Sequence, residues 1–327
     1  MKAILKEDYD EFKNLFDINS KGNFFNEREQ TDTCLNIIYP KYSSLMTLKN
    51  ENSLEWMNEK TQRSMKILLQ KRAVRVRPET DTKVIASTNG MILSALSIAY
   101  LATFDDRYKE ASTELFEFIK NNFISGNHIR RIAYNNGNEI NGLLEDYANL
   151  ADGLLQYYRE TLDKESLLLF YKFMEFSLEN FKNRNGAFRE KQNTLTTIEY
   201  TDLYDGAIPS SNSIMFRNVG FFALLKRLYD LYTDINSLNR DFLTIISSNS
   251  ASFTWLINVL FENPEFLVIK VPLLWYSQEF IKKSNLLIVR EKILKVNNSN
   301  TTEICTLSEC IYNFIERREV LEKLKKL

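Results

Sequence analysis

The chain has 327 residues, with 42 Lys and Arg against 43 Asp and Glu, a near-balance that leaves no electrostatic footprint for a nucleic-acid partner. Its apolar runs, such as Phe221 to Leu225, are far too short to cross a bilayer. The start, MKAILKEDYDEF, carries charge where a signal peptide needs an apolar core, so the expectation is a cytoplasmic protein with no membrane partner.

Cys34, Cys305 and Cys310 are the only cysteines, a sparse count that fits a reducing compartment. The spacing of Cys305 and Cys310 is neither a CxxC redox pair nor a zinc knuckle, so both read as ordinary thiols. His128 is the sole histidine, in the polar stretch SGNHIRR, where it reads as solvated. A histidine-rich zinc site within this chain is thereby excluded, and no metal or cofactor is expected. Only 9 glycines and 5 prolines imply mostly helix joined by ordinary loops.

In chain order, helical periodicity runs through about 54–72, 89–104, 107–123, from Leu143 to Tyr158, 164–181, 212–232 and 250–261. Asp163 is placed to cap the helix after it. The stretches MILSALSIAYLATF and SIMFRNVGFFALLKRLYDLY are apolar around most of their circumference. By contrast, YKEASTELFEFIKNNF and KESLLLFYKFMEFSLENF carry charge down one side. A helix apolar on every face is buried on every face, whereas an amphipathic one lies outside. The alternation predicts an all-α-dominated chain: a partial (α/α) toroid of helical hairpins over residues 1–262, with an inner and an outer layer. A simple α-solenoid is the alternative, but no fixed-period repeat is found. The segments 265–271 and 285–290 read as strands around a helix, WYSQEFIKKS, and 307–327 as a charged helix. Residues 263–327 thus form a small α/β appendage.

Polar clusters precede three of these helices. RPETDTKVIASTNG holds Arg77, Asp81, Lys83 and Asn89. NGLLEDYANL holds Glu145, Asp146 and Tyr147. DGAIPSSNS holds Asp205, Ser210, Ser211 and Asn212. In a toroid the inner helices run the same way, so these clusters are expected to meet at one mouth, where helix N-termini offer free N–H groups and partial positive charge. Taken singly, each also reads as a plain helix cap, with Ser210, Ser211 and Asn212 ordinary capping types.

The ordered set LFDINSKGN (15–23), KRAVRVRPETDTKVIASTNGMILSAL (71–96), NGLLEDYANLADGLLQYY (141–158) and DGAIPSSNSIM (205–215) resembles the thioredoxin-domain-containing family of spermatogenesis-associated protein 20 and its bacterial relatives. That family's helical region is similar to the six-hairpin toroids of glycosidases and sugar 2-epimerases. The resemblance implies the fold and marks Arg77, Asp81, Lys83, Asn89, Gly90, Glu145, Asp146, Tyr147, Asp205, Pro209, Ser210 and Asn212 as cavity positions. Three positions depart from the family pattern: Thr82 replaces an Asp, Thr88 a Trp and Ser211 a Gly. Nothing here resembles the family's thioredoxin-like front or the first half of its ring. The resemblance therefore implies completion by another chain, either a separately encoded front half or a second copy, with a ring rebuilt by the N-terminal 60 residues as the other reading.

Two functions are weighed. The first is an enzyme subunit acting on a sugar-like or polyhydroxylated small molecule. In it Asp146 or Glu145 serves as general acid or base, with Asp81 or Asp205 opposite, and Arg77, Lys83, Asn89, Tyr147, Ser210 and Asn212 bind substrate. Sugar 2-epimerases use histidines that this chain lacks, so epimerisation by the chain alone is disfavoured. The second is an accessory or scaffold subunit for a partner with thioredoxin-like or peptide-modifying activity, which Thr82, Thr88 and the missing halves favour.

Overall fold

The computed structural model describes residues 1–26, 30–41, 58–133, 140–191, 201–228, 230–231, 240–261, 267–272, 292–297, 301–306, 309–314 and 316–324. They form two compact units, Met1–Asp81 and Thr82–Leu327. The boundary read from the sequence at 262/263 is not where the chain divides: the C-terminal sheet clusters with the helices that precede it.

The first unit holds α1 (Lys2–Leu5), a 3-10 turn, α2 (Tyr9–Leu15), the hairpin β1 (Phe25–Asn26) and β2 (Thr31–Asp32), and α3 (Glu59–Ala73). Leu5, Phe12, Phe16 and Ile18 make its core, against which Ile67 and Leu68 of α3 pack. Asn58 caps α3, its Oδ1 accepting from the Thr61 N–H at 2.9 Å. Asn23 of the LFDINSKGN stretch pins the loop, donating from Nδ2 to the Asp17 and Ile37 carbonyls and accepting from the Ile37 N–H.

The second unit is built from helical hairpins. These are α4 (Ala86–Thr103) with α5 (Asp106–Phe123), and α6 (Leu144–Thr161) with α7 (Lys164–Asn180). They are followed by α8 (Ser211–Lys226), α9 (Arg240–Ser248) and α10 (Thr254–Phe261). Hairpin turns form where a C-cap residue enters the left-handed region, Phe104 at φ 56° and Leu162 at φ 57°, and the next helix is capped at once by Asp105 or Asp163.

The outer helices bury one stripe: Ser112, Phe116, Ile119 and Phe123 in α5, and Ser166, Phe170, Phe173, Met174 and Ser177 in α7. The inner row is α4, α6, α8, with α6 in contact with both of its neighbours. In α6 every residue from Leu144 to Glu160 except Glu145 is buried. This is the layering of a partial (α/α) toroid. Helices α4 and α6 run parallel, since Ser87 meets Asp146 and Ser94 meets Asp152 further along both. They approach closely because each offers a glycine at the crossing. A Cβ on Gly90 would lie 2.5 Å from the Asn149 backbone, and one on Gly153 would lie 2.5 Å from the Gly90 carbonyl oxygen.

Short strands close the hairpin ends: β3 (Val84–Ile85) pairs antiparallel with β6 (Ile132–Ala133), and β4 (Ile124–Ser125) with β5 (His128–Ile129). The C-terminal sheet comprises β7 (Leu267–Pro272), β8 (Lys292–Asn297), β9 (Thr302–Cys305) and β10 (Cys310–Phe314), in the order β10-β9-β7-β8. Strands β7 and β8 are parallel, while β9 is antiparallel to both β7 and β10.

The expected strand at 285–290 and helix at 275–284 lie outside the described residues. The tail is not a helix from 307 onward. The β-branched and aromatic run CIYNF pairs with TEIC as a hairpin, leaving only α11 (Arg317–Leu324). Nor are Cys305 and Cys310 separate thiols: as directly paired residues of β9 and β10 they form a disulfide. No described helix is long and apolar enough to cross a membrane.

Candidate functional site

The N-termini of α4, α6 and α8 meet, and short polar segments lace them together. The Ala86 N–H at the start of α4 donates to the Arg131 carbonyl at 2.9 Å, and the Leu144 N–H at the start of α6 to the Glu190 carbonyl at 3.0 Å. Two residues before Glu190, the Phe188 N–H and C=O are both taken by the Asn212 side chain in the first turn of α8. Asn212 also donates to the Asp202 carbonyl at 2.8 Å and is fully buried. The turn from Phe181 to Glu190, closed by a bridge between Lys182 and Phe188, is thus held between α6 and α8.

Asp146 is the pivot. Its Oδ2 accepts from the Leu143 N–H at 2.9 Å, closing the first turn of its own helix. Its Oδ1 accepts from the Ser87 N–H of α4 at 3.1 Å, and Arg131 Nη1 donates to Oδ2 at 2.9 Å. The side chain is wholly buried. Burial pushes its carboxyl up from the usual aspartate range, against the pull of the Leu143 N–H, Arg131 and the Ser87 N–H.

Asp205 does the same work at α8 and α10. Its Oδ1 accepts from the Ser210 N–H and the Ser213 hydroxyl, both at 2.8 Å. Its Oδ2 accepts from the Trp255 and Leu256 N–H groups at the start of α10. Ser210 is the N-cap of α8.

The other expected residues fall as follows. Tyr147 is buried among Phe173, Phe176 and Phe181, and its hydroxyl accepts from the Ile129 N–H at 3.1 Å. Burial pushes that phenol up to about 12. Asn89 donates back to the Ile85 carbonyl at 2.7 Å. Lys83 is exposed at the start of the second unit, and Arg77 and Asp81 are exposed in the first. Glu145 and Asp146 share Arg131, Asn212 is linked to their helix through the turn 181–190, and Asp205 with Ser210 forms a knot of its own at the starts of α8 and α10. Tyr147 turns to the backbone of β5 and Asn89 to the backbone of its own helix start.

Around Asp146 lies a charged cluster that includes residues not singled out from the sequence: Arg131, Glu190 and Asp202. Arg131 reaches Glu145 Oε2 from Nη2 at 3.3 Å while holding Asp146 through Nη1. Glu145 is the one residue of α6 before Thr161 with a partly exposed side chain. Glu190 is half-buried, and its Oε1 is buried with no hydrogen-bond partner. Burial, reinforced by the negative charges of Asp202 and Glu145 and opposed by Arg131, pushes its carboxyl up to about 7.

A protonated Glu190 near neutral pH can donate a proton, while Glu145 beside Arg131 supplies a second carboxyl of different environment. Two carboxyls whose surroundings differ in this way can share acid and base roles. Arg131 follows the lone histidine in NHIRRI, and Glu190 sits in AFREK. Neither segment is periodic, and with Arg130 beside Arg131 and Glu190 between Arg189 and Lys191, each reads as part of an ordinary charged stretch.

No family model matches the chain. An uncharacterised protein of Caenorhabditis elegans is 26% identical over 191 residues, covering 56% of this chain and 25% of that protein. Among solved structures, the chain is similar to the cellobiose 2-epimerase of Bacillus thermoamylovorans (15% identity, TM-score 0.40, 50% of this chain and 45% of that one). It is also similar to the cellobiose 2-epimerase of Spirochaeta thermophila (15% identity, TM-score 0.42, 64% and 61%). A third similar structure is the α-1,6-mannanase of Salegentibacter sp. HEL1_6 (14% identity, TM-score 0.38, 72% and 68%). The chain spans a quarter of the length of the curated relative and just under half of the first of these structures.

Proposed function

We propose that the meeting point of α4, α6 and α8 is an acid–base site acting on a sugar-like or polyhydroxylated small molecule. In this reading Glu190 is the proton donor and Glu145 the second carboxyl. Arg131 orients Glu145, while Asp146, Asp205, Asn212 and Ser210 hold the helix ends that frame the pair. The observation that carries it is Glu190: a half-buried carboxyl raised to about 7, with one oxygen unpartnered, beside three helix N-termini. Helix N-termini and Arg131 favour electron-rich groups, and hydroxyls suit that setting. Lys83, at the start of the second unit, is retained as a substrate-binding position.

The test is a screen of nitrophenyl glycosides and reducing disaccharides across pH. Turnover with a limb near neutral pH is expected. Glu190→Gln and Glu145→Gln should each lower it at least about a hundredfold, as loss of a general acid or base does, with the chain still folded and no melting temperature below that of the wild type. Turnover unaffected by both substitutions would remove the proposal.

The accessory-subunit reading keeps a specific point in its favour: Asp146, Asp205, Asn212 and Tyr147 spend their hydrogen-bonding capacity inside the fold. Either reading accommodates another chain completing the ring. Ile92 and Ile98 on the inner-row helix α4 are 45% and 38% exposed, surface that a neighbouring hairpin would cover. Native mass spectrometry of the chain with co-expressed neighbours checks this, and a soluble monomer under all conditions counts against it.

A further inference from the structure

The C-terminal hairpin carries a second chemical feature, remote in kind from the carboxyl cluster. Cys305 and Cys310 are bonded across the pair β9–β10, with Cys305 buried and Cys310 exposed on β10, the strand at the sheet edge. Charged groups from three separate elements converge on the sulfurs. Arg227, at the end of α8, places Nη2 3.2 Å from Cys310 Sγ and 3.9 Å from Cys305 Sγ. Lys270 of β7 places Nζ 4.0 Å from Cys310 Sγ. Glu303 of β9 lies 3.9 Å from each sulfur, with its charge engaged by Lys270 at 2.6 Å.

As a staple this disulfide does little. It closes a loop of five residues' separation, between strands already held in register by their own hydrogen bonds, and loop-closure stabilisation is smallest for the shortest loops. Lys270 and Glu303 offset each other, which leaves Arg227, the nearest charged group to Cys310, as the cation that lowers a thiol's pKa and steadies a departing thiolate.

We propose that Cys305 and Cys310 form a thiol–disulfide exchange site. Cys310 is the sulfur that meets the co-reactant, and Cys305 is the resolving partner. In the reducing direction a low-molecular-weight thiolate of the glutathione class attacks Cys310 Sγ. The Cys305–Cys310 bond breaks, a mixed disulfide forms on Cys310, and Cys305 leaves as a thiolate beside Arg227. A second thiolate then attacks the co-reactant's sulfur, releasing its disulfide and the Cys310 thiolate. Two electrons pass to the protein, and two protons complete the dithiol. The reverse sequence re-forms the bond at the expense of the co-reactant's disulfide.

Cys34, exposed and free, is a control within the same molecule. The full chain is equilibrated in glutathione buffers of graded thiol-to-disulfide ratio, quenched with an alkylating agent and read by peptide mass spectrometry. The Cys305–Cys310 pair is expected to pass from disulfide to dithiol within the series, and Cys305→Ser is expected to collect glutathione on Cys310. In the reduced wild type at pH 7, Cys310 should alkylate about threefold faster than Cys34, the gain per unit of lowered thiol pKa once the larger thiolate fraction is offset by its weaker nucleophilicity, and Arg227→Gln should erase most of that ratio. A bond that survives every glutathione buffer and yields only under denaturing reduction would overturn the proposal. So would a Cys310 rate no greater than that of Cys34, or a ratio indifferent to Arg227→Gln.

Discussion

At the residue scale the same side-chain type does opposite things in this fold, and environment decides which. Asp146 accepts from two backbone N–H groups and a guanidinium, so Asp146→Asn would turn one of its oxygens into a donor facing donors. Loss of about 3 kcal/mol is expected in urea unfolding, the scale for breaking one side of a buried pair. A change within experimental error would show that the caps on α4 and α6 are dispensable. Glu190 reverses the logic. Its carboxyl is raised from 4.5 to about 7, so between those values the folded chain keeps a proton that the unfolded chain has released. The stability this group contributes is full below the ordinary carboxyl range and is lost as pH rises through about 7. Glu190→Gln carries a permanently neutral side chain. It should therefore melt higher than wild type at about pH 8 and draw level at about pH 5, read as the difference of melting temperatures. A constant difference across that range would mean that Glu190 is not held protonated.

At the element scale the helices were legible and their use was not. Periodicity locates α4 to α7 within a few residues because each buries a continuous stripe or a whole surface, but it carries α8 six residues past its end at Lys226 and passes over α9. Asp163 announces the cap it makes on α7. Greasiness ranked the layers imperfectly: α6, rich in Asp, Asn and Gln, is the most buried helix. Its Asp152 is paired across the row with Ser94 of α4 and Arg217 of α8, and its Glu160 with Ser112 of α5. Such pairing depends on neighbours distant in sequence, as does the placing of Arg131 and Glu190 at the site. The setting of Cys305 and Cys310 could not be read from the sequence because it comes from Arg227 and Lys270, remote along the chain, whereas the hairpin itself rests on the β-branched and aromatic run CIYNF. Gly90 also changes meaning, since it belongs to the α4–α6 crossing. Alanine at a helix position usually gains about 1 kcal/mol over glycine. At Gly90 or Gly153 the new methyl meets backbone atoms that cannot rotate away, so Gly153→Ala should cost roughly 2 kcal/mol or more. A stabilised variant would show that the helices separate at little cost.

At the scale of the whole molecule, the two compact units have cores that share no residue. The first is built on Leu5, Phe12, Phe16 and Ile18. The second runs from Ala86 to Val268 through all the inner helices. A unit with its own continuous core carries its own cooperativity, because the apolar surface buried on folding lies inside it. The carboxyl cluster and the disulfide hairpin both belong to the second unit, so the chemistry proposed for each should survive without the first. A fragment spanning Thr82 to Leu327 is therefore expected to unfold in one sharp thermal transition and to keep the near-ultraviolet circular dichroism of its packed aromatics. Tyr147 supplies a local reporter. Buried against Phe173, Phe176 and Phe181, its phenol stays protonated in the folded fragment up to about pH 12 and titrates in the ordinary range once the fragment unfolds. A fragment with a broad transition, and with every tyrosine titrating normally, would show that the helical array depends on the first unit for its order.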